Sequence, residues 1–260
     1  MAVNSGRRRR SQSSQARPSK VRSVGDTIAR EISRKRILPL FILFIAIVGF
    51  INAFRFGGAS LDYYTVRNSI ELWLNEGSAQ SEQSYLRARQ AVNTAQLLHN
   101  SHPLYSELNA QIKEWGVLSG FEPDMTLQTA KLSYLEASKL RPLWPVTWAN
   151  LAMLKWRKQE FDDEMYGYLQ KANTLGPQKA EVHLLFSQLG LSLYQVNHPF
   201  YVRIKDEVHE RIKRGLRGHA TRNQLVSFIE STNNRKTVCR WIASENEKFI
   251  NKVAACNDGE

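Results

Sequence analysis

The stretch ILPLFILFIAIVGFINAF, residues 37–54, runs for eighteen residues without a charge, and its reading divides the chain. At about 1.5 Å per residue it is ~27 Å long as a helix, close to the ~30 Å of hydrocarbon a membrane span must cross. Thirteen of its residues are Ile, Leu, Phe or Val. Each contributes roughly −0.3 to −0.6 kcal/mol at mid-bilayer, so insertion is favoured by about 5 kcal/mol before Pro39, Gly49 and Asn52 are counted against it. A helix buried in a soluble core would carry a polar stripe, and none is present. A cleaved signal peptide has a shorter apolar run behind a shorter leader. The small residues Gly57-Gly58-Ala59 would suit a peptidase, but 36 residues precede the run. The sequence therefore predicts a basic tail at 1–36, an uncleaved transmembrane helix at 37–56 and a folded domain at 57–260.

Charge assigns sides to these parts. The 260-residue chain has a net charge of +12, yet residues 1–36 alone carry eleven Lys or Arg against Asp26 and Glu31, leaving the rest at +3. A basic flank of this kind holds the N-terminus in the cytoplasm, which places the nearly neutral domain across the membrane. Arg7-Arg8-Arg9-Arg10 would suit nucleic acid by charge, but no aromatic residue in the tail offers a stacking platform, so no nucleic-acid partner is expected. The tail is expected to be disordered over residues 1–24 and drawn to anionic lipid. A juxtamembrane helix should open near Asp26. No Asn-X-Ser/Thr sequon occurs, which favours a bacterial periplasm over a eukaryotic lumen for the domain.

Beyond the span the apolar residues recur at helical spacing and no segment alternates as a strand would, so the domain is expected to be all-α. Ser60 is placed as the cap of a first helix carrying Tyr63, Val66, Ile70 and Trp73 and ended by Gly77. Ser81 or Ser84 opens a second. Pro103 opens a third, stopped by Gly116 and Gly120. Ala130, Tyr134, Ala137, Leu140 and Pro142 then follow the second-helix spacing of a tetratricopeptide repeat, in which small residues let two helices approach. Trp148, Leu151 and Ala152 give the next first helix; Leu169, Ala172, Leu175 and Pro177 give its second. Fainter copies lie at Ala88, Val92, Ala95 and Leu98, and at Phe186, Ser187 and Leu191. A repeat must stack on neighbours to bury its face, so these flanks should be degenerate repeats or caps, with a concave face for a partner. A plain helical bundle is the alternative.

Few residues carry recognisable chemistry. His209-Glu210 begins like a zinc-protease helix, but Lys213 stands where the second ligand belongs. There is no nucleophile elbow and no phosphate-cradling glycine loop. The six histidines are scattered, and His183 replaces the first-helix Trp of a weak repeat. No catalytic residue, metal or cofactor is expected, and hence no enzyme. Asn150 lies where a repeat can grip a peptide backbone, or else bond a neighbouring helix end. A helix starting near Pro199 has Ile204, Val208, Ile212 and Leu216 on its buried side; Arg203, Lys205, Arg211, Lys213, Arg214 and Arg217 are assigned to its outer side. Such a face is either solvated or a contact for an acidic polysaccharide or lipid headgroup, with Arg211 and Arg214 the partner-binding candidates. Cys239 and Cys256 would stand ~25 Å apart on one helix, but a turn near 244–246 would bring them together as a disulfide; the alternative is two small core residues.

The segments Leu140-Arg141-Pro142, Trp144-Pro145 and Trp148-Ala149-Asn150-Leu151-Ala152 resemble the signature of the VpsP-like polysaccharide biosynthesis proteins of Gram-negative bacteria. The plan of basic tail, early anchor and helical body ending in two cysteines is similar along most of the chain. The resemblance implies a non-enzymatic inner-membrane accessory of exopolysaccharide synthesis and export, whose partners are proteins of that machinery. A chaperone-like or cytochrome-maturation-like peptide-binding protein is the alternative, and it would need a peptide-clamping concave face.

Overall fold

The computed structural model describes residues 24–243, 245, 247–250 and 256, with side chains from residue 37 onward except at 247 and 248. Residues 1–23 of the tail expected to be disordered lie outside these residues, and Val24 opens the first helix. Those described are helical throughout, with no strand among them: α1 Val24–Glu76, α2 Glu82–Leu98, α3 Pro103–Leu118, α4 Thr126–Leu140, α5 Pro145–Arg157, α6 Asp163–Leu175, α7 Ala180–Gln195, α8 Phe200–Arg217, α9 His219–Ser231, α10 Arg235–Ile242 and the short α11 Glu247–Ile250. The chain divides into two compact units, Met1–Ala53 and Phe54–Glu260.

In the first unit, α1 is the one described helix long and apolar enough to cross a membrane, and its apolar window is wholly unburied. Leu40, Phe41, Phe44 and Phe50 are all more than half exposed, a contiguous apolar surface of the kind that marks a membrane or partner contact. Within the apolar stretch the Asn52 side-chain amide donates to the Val48 carbonyl at 2.8 Å, which satisfies one donor of that polar group inside the helix.

In the second unit the expected break at Gly57-Gly58 is absent, and Ser60 caps nothing, because α1 continues to Glu76. The small residues serve close approach instead. A Cβ on Gly58 would stand 3.2 Å from Leu98, and Ala59 is fully buried with Ala95 and Tyr105. Packing recovers the ~1 kcal/mol that a mid-helix glycine loses relative to alanine. Val66, Ile70 and Trp73 of α1 then form a core with Tyr85, Ala88 and Val92 of α2 and Leu108, Ile112 and Trp115 of α3, with the Trp73 and Trp115 rings 6.0 Å apart.

Helices pack in consecutive pairs, α3 on α4, α5 on α6 and α7 on α8, while α5, α7 and α9 also stack on one another. This is the tandem arrangement expected from the repeat spacing. Its regularity is clearest in the turns. Helices α1, α3, α5, α7 and α9 are each followed by a residue in the left-handed region: Gly77, Gly120, Gln159, Asn197 and Asn233. At the last four the same two bonds recur, the left-handed N–H reaching back three residues and the next N–H reaching back five, as in Phe121 to Gly116 at 2.8 Å and His198 to Leu193 at 2.9 Å. These bonds satisfy carbonyls that a helix end would leave bare. Turns between pairs also repeat: His102, Trp144 and Lys179 N–H groups donate to His99, Arg141 and Gly176, each the C-cap of the preceding helix. Gly116 does not stop α3 as expected. It lies within it, where the Tyr85 ring and Glu122 press so close that a Cβ would meet them at 2.7 and 2.8 Å.

Among the described glycines the closest approach is at α7 on α8, where a Cβ on Gly190 would lie 2.3 Å from a Val208 methyl and 2.9 Å from the Val208 Cβ. Val208 is stiff at χ1 and fully buried, so it cannot swing aside. Gly190→Ala should therefore lower stability by about 1–3 kcal/mol. Gly167→Ala, where nothing stands within 4 Å, should raise it by about 0.5–1 kcal/mol. Denaturant unfolding of the full chain in detergent measures both.

Candidate functional site

The residues singled out from sequence fall in three places. Asn150, on α5, donates its amide to Glu107 Oε1 of α3 at 2.9 Å. Arg141 and Thr147 also donate to Glu107, so this carboxylate, 3 % exposed, is held by three donors from the α4–α5 region. Burial raises its pKa while Arg141 and the hydrogen bonds pull it back. Asn150 thus ties two neighbouring repeats together. A second buried acid on α3, Glu114, accepts from Tyr134 and Arg157 in the same way. Neither acid was singled out from sequence. Their seven-residue spacing on one face of α3 was the available signal.

Cys239 and Cys256 form a disulfide with Cα atoms 5.6 Å apart; residues 244 and 246 of the expected turn lie outside the described residues.

The third place is the cleft beside α8. Here Arg211 corrects the expectation of an outward basic face, for it is 2 % exposed and belongs to the buried side of the helix. Its Nε donates to Asn173 Oδ1, one terminal nitrogen to the Gly176 and Pro177 carbonyls at 2.9 and 3.1 Å and to His183 Nδ1 at 3.3 Å, and the other to Asn173 O and Oδ1. Every guanidinium nitrogen is engaged, which leaves Arg211 no free donor for a partner. It caps the C-terminal end of α6, where bare carbonyls and the negative end of the helix dipole favour a cation. No carboxylate pairs with it, and burial lowers its pKa to about 10. The inward position was readable from spacing: Arg211 follows Ile204 and Val208 at seven and three residues, on the same stripe. Residue type, rather than position, had put it outside.

Arg214 is where it was expected, at the surface. It donates to Glu210 at 2.7 Å and to the Pro177 carbonyl at 2.9 Å. Arg217 pairs with Glu245, which also holds Lys213 at 3.2 Å. Between these side chains and the starts of α7 and α9 lies a cleft of about 560 Å³, into which Ala180, His183, Glu210, Arg214, Arg217 and Ala220 face. His183, 5 % exposed, is the back wall; desolvation, with Arg211 and Arg214 nearby, lowers its pKa to about 4. The opening thus holds arginines at its rim and a neutral imidazole inside. Among the described residues no group of three His, Cys, Asp or Glu could hold a metal ion.

Comparison with known proteins adds no assignment: no family model matches the chain, and no curated protein matches its sequence.

Proposed function

We propose that the protein is a single-pass inner-membrane scaffold for exopolysaccharide assembly or export, with its N-terminus in the cytoplasm and its helical-repeat domain in the periplasm. The observation that carries this reading is the pairing in one chain of a fully uncovered apolar helix with tandem stacked helix pairs. The helix confines the protein to the membrane plane, and stacked pairs are built to present an extended surface to other proteins. Orientation rests on the +9 tail. The polysaccharide assignment rests on the resemblance of the Leu140 to Ala152 segments to the VpsP-like proteins. No catalytic work is assigned, since the buried acids Glu107 and Glu114 are consumed by partners within the fold.

Two experiments test the parts separately. A reporter enzyme active only in the periplasm, fused after Glu260, is expected to be active; activity of a cytoplasmic reporter alone overturns the orientation. Deletion is expected to lower the yield or chain length of secreted polysaccharide, with recovery by the full chain and not by a version lacking residues 1–56. Unchanged polysaccharide after deletion overturns the function.

A further inference from the structure

The cleft between α7, α8 and α9 has the donor pattern of a site for one negatively charged sugar. Two helices begin at its edge, and neither is capped by a side chain: Lys179 precedes α7 and Gly218 precedes α9. The first intrahelical acceptors are used only by His183 and Arg222, so the N–H groups of the preceding first turns have no partner in either helix. Both positive dipole ends favour an anion there. Arg214, Arg217 and Lys213 carry three positive charges against the two carboxylates they pair with, Glu210 and Glu245, which leaves the rim one charge positive.

His183 supplies an independent observation. Arg211 can only donate, so the bond between them makes Nδ1 the acceptor and puts the imidazole proton on Nε2. No protein acceptor stands at that nitrogen among the described residues. A side chain that is 95 % buried therefore brings a fixed, unpartnered N–H donor to the cleft.

Glu210 narrows the ligand class. A phosphate dianion would meet its carboxylate at the same rim. A sugar bearing a carboxylate would place its oxyanion against the helix starts, Arg217 and His183, while its hydroxyls donate to Glu210. The volume of about 560 Å³ suits a ligand of one or two rings. We propose that this cleft binds a carboxylate-bearing unit of an anionic polysaccharide. The choice of a polysaccharide over a free sugar acid rests on the function proposed above.

The test uses the full chain in a neutral detergent, titrated calorimetrically with a tetragalacturonate, a neutral galactose tetrasaccharide and inorganic phosphate. The acidic oligomer is expected to bind, more weakly at high salt, and the neutral one not to bind. Ala220→Asp places a carboxylate at the exposed start of α9, where it complements the dipole and keeps the fold. It is expected to weaken binding about tenfold or more with an unchanged or raised melting temperature. Arg217→Gln should weaken binding less, and Arg203→Gln, whose side chain pairs with Asp163 away from the cleft, should not alter it. Absence of tetragalacturonate binding, equal binding of the neutral oligomer, equal affinity for phosphate alone, or indifference to Ala220→Asp each overturns the assignment. Failure here with a positive deletion phenotype removes the cleft and leaves the scaffold; binding with a silent deletion removes the scaffold and leaves the cleft.

Discussion

Arg211→Ala should cost about 3–5 kcal/mol, although a helix-surface arginine would ordinarily be replaced within about 0.5 kcal/mol. The guanidinium is the acceptor-filling group for the Asn173, Gly176 and Pro177 carbonyls at the end of α6. Hydrogen bonds to a charged donor are each worth roughly 1.5–3 kcal/mol; Lys179 and Arg214 still donate to the Gly176 and Pro177 carbonyls, so the Asn173 carbonyl is the one left bare, adding about 1–3 kcal/mol with incomplete additivity. Arg211→Lys should recover only part of the loss, because one ammonium cannot span acceptors that a planar fork reaches together. Arg214→Ala, whose side chain is a third exposed, should change stability by less than about 1 kcal/mol. Equilibrium unfolding of the full chain in detergent gives the three values; a loss for Arg211→Ala no larger than that for Arg214→Ala would show that the buried network contributes nothing.

Acidification should destabilise the protein through His183 before most carboxylates titrate. Its folded pKa, about 4, lies below the ordinary 6.5 because burial and the cations Arg211 and Arg214 disfavour the imidazolium more than Glu210 favours it. The unfolded chain then binds the proton more readily than the folded one. The contribution of His183 is therefore full above pH 6.5 and is lost as pH falls from about 6.5 to about 4. At 1.36 kcal/mol per unit this amounts to about 3 kcal/mol. Glu164, lowered to about 2 first by the Lys131 hydrogen bond, acts in a lower window, from about 4.5 to about 2. Buried Glu107 and Glu114, with raised pKa values, act in the opposite sense, becoming less costly as they protonate. Subtracting the pH profile of His183→Gln, which keeps an acceptor for Arg211, isolates the histidine. Parallel profiles between pH 6.5 and 4 would mean that the ring is solvated.

What was legible in the sequence divides by the kind of signal. The long apolar helix, the all-α body and the helix starts at Ser81, one of two serines that fitted, and at Pro103 depend on local patterns; the Ser81 side chain accepts a first-turn N–H group. Glycines misled twice, at Gly57-Gly58 and at Gly116. A glycine that permits a turn and a glycine that admits a neighbouring side chain are the same letter, and only the partner across the gap tells them apart. The converse occurred at Gln159, Asn197 and Asn233, where the left-handed turn is made without glycine and the turn within the helix pair passes unseen. The cleft was half legible. Arg214 could be placed, but Arg211 and His183 acquire their roles from Gly176 and Pro177, which lie 35 and 34 residues before Arg211 in sequence.

The consecutive pairing of helices bears on how the domain forms. Because α3 finds α4, α5 finds α6 and α7 finds α8 across short turns, little loop-closure entropy must be met before favourable contacts appear. A pair can assemble as soon as its own forty or so residues have left a ribosome or a translocation pore, and each completed pair is a template for the next. Growth would proceed from the N-terminal pair onward, and a chain stalled midway would expose one unpartnered helix face rather than a molten core.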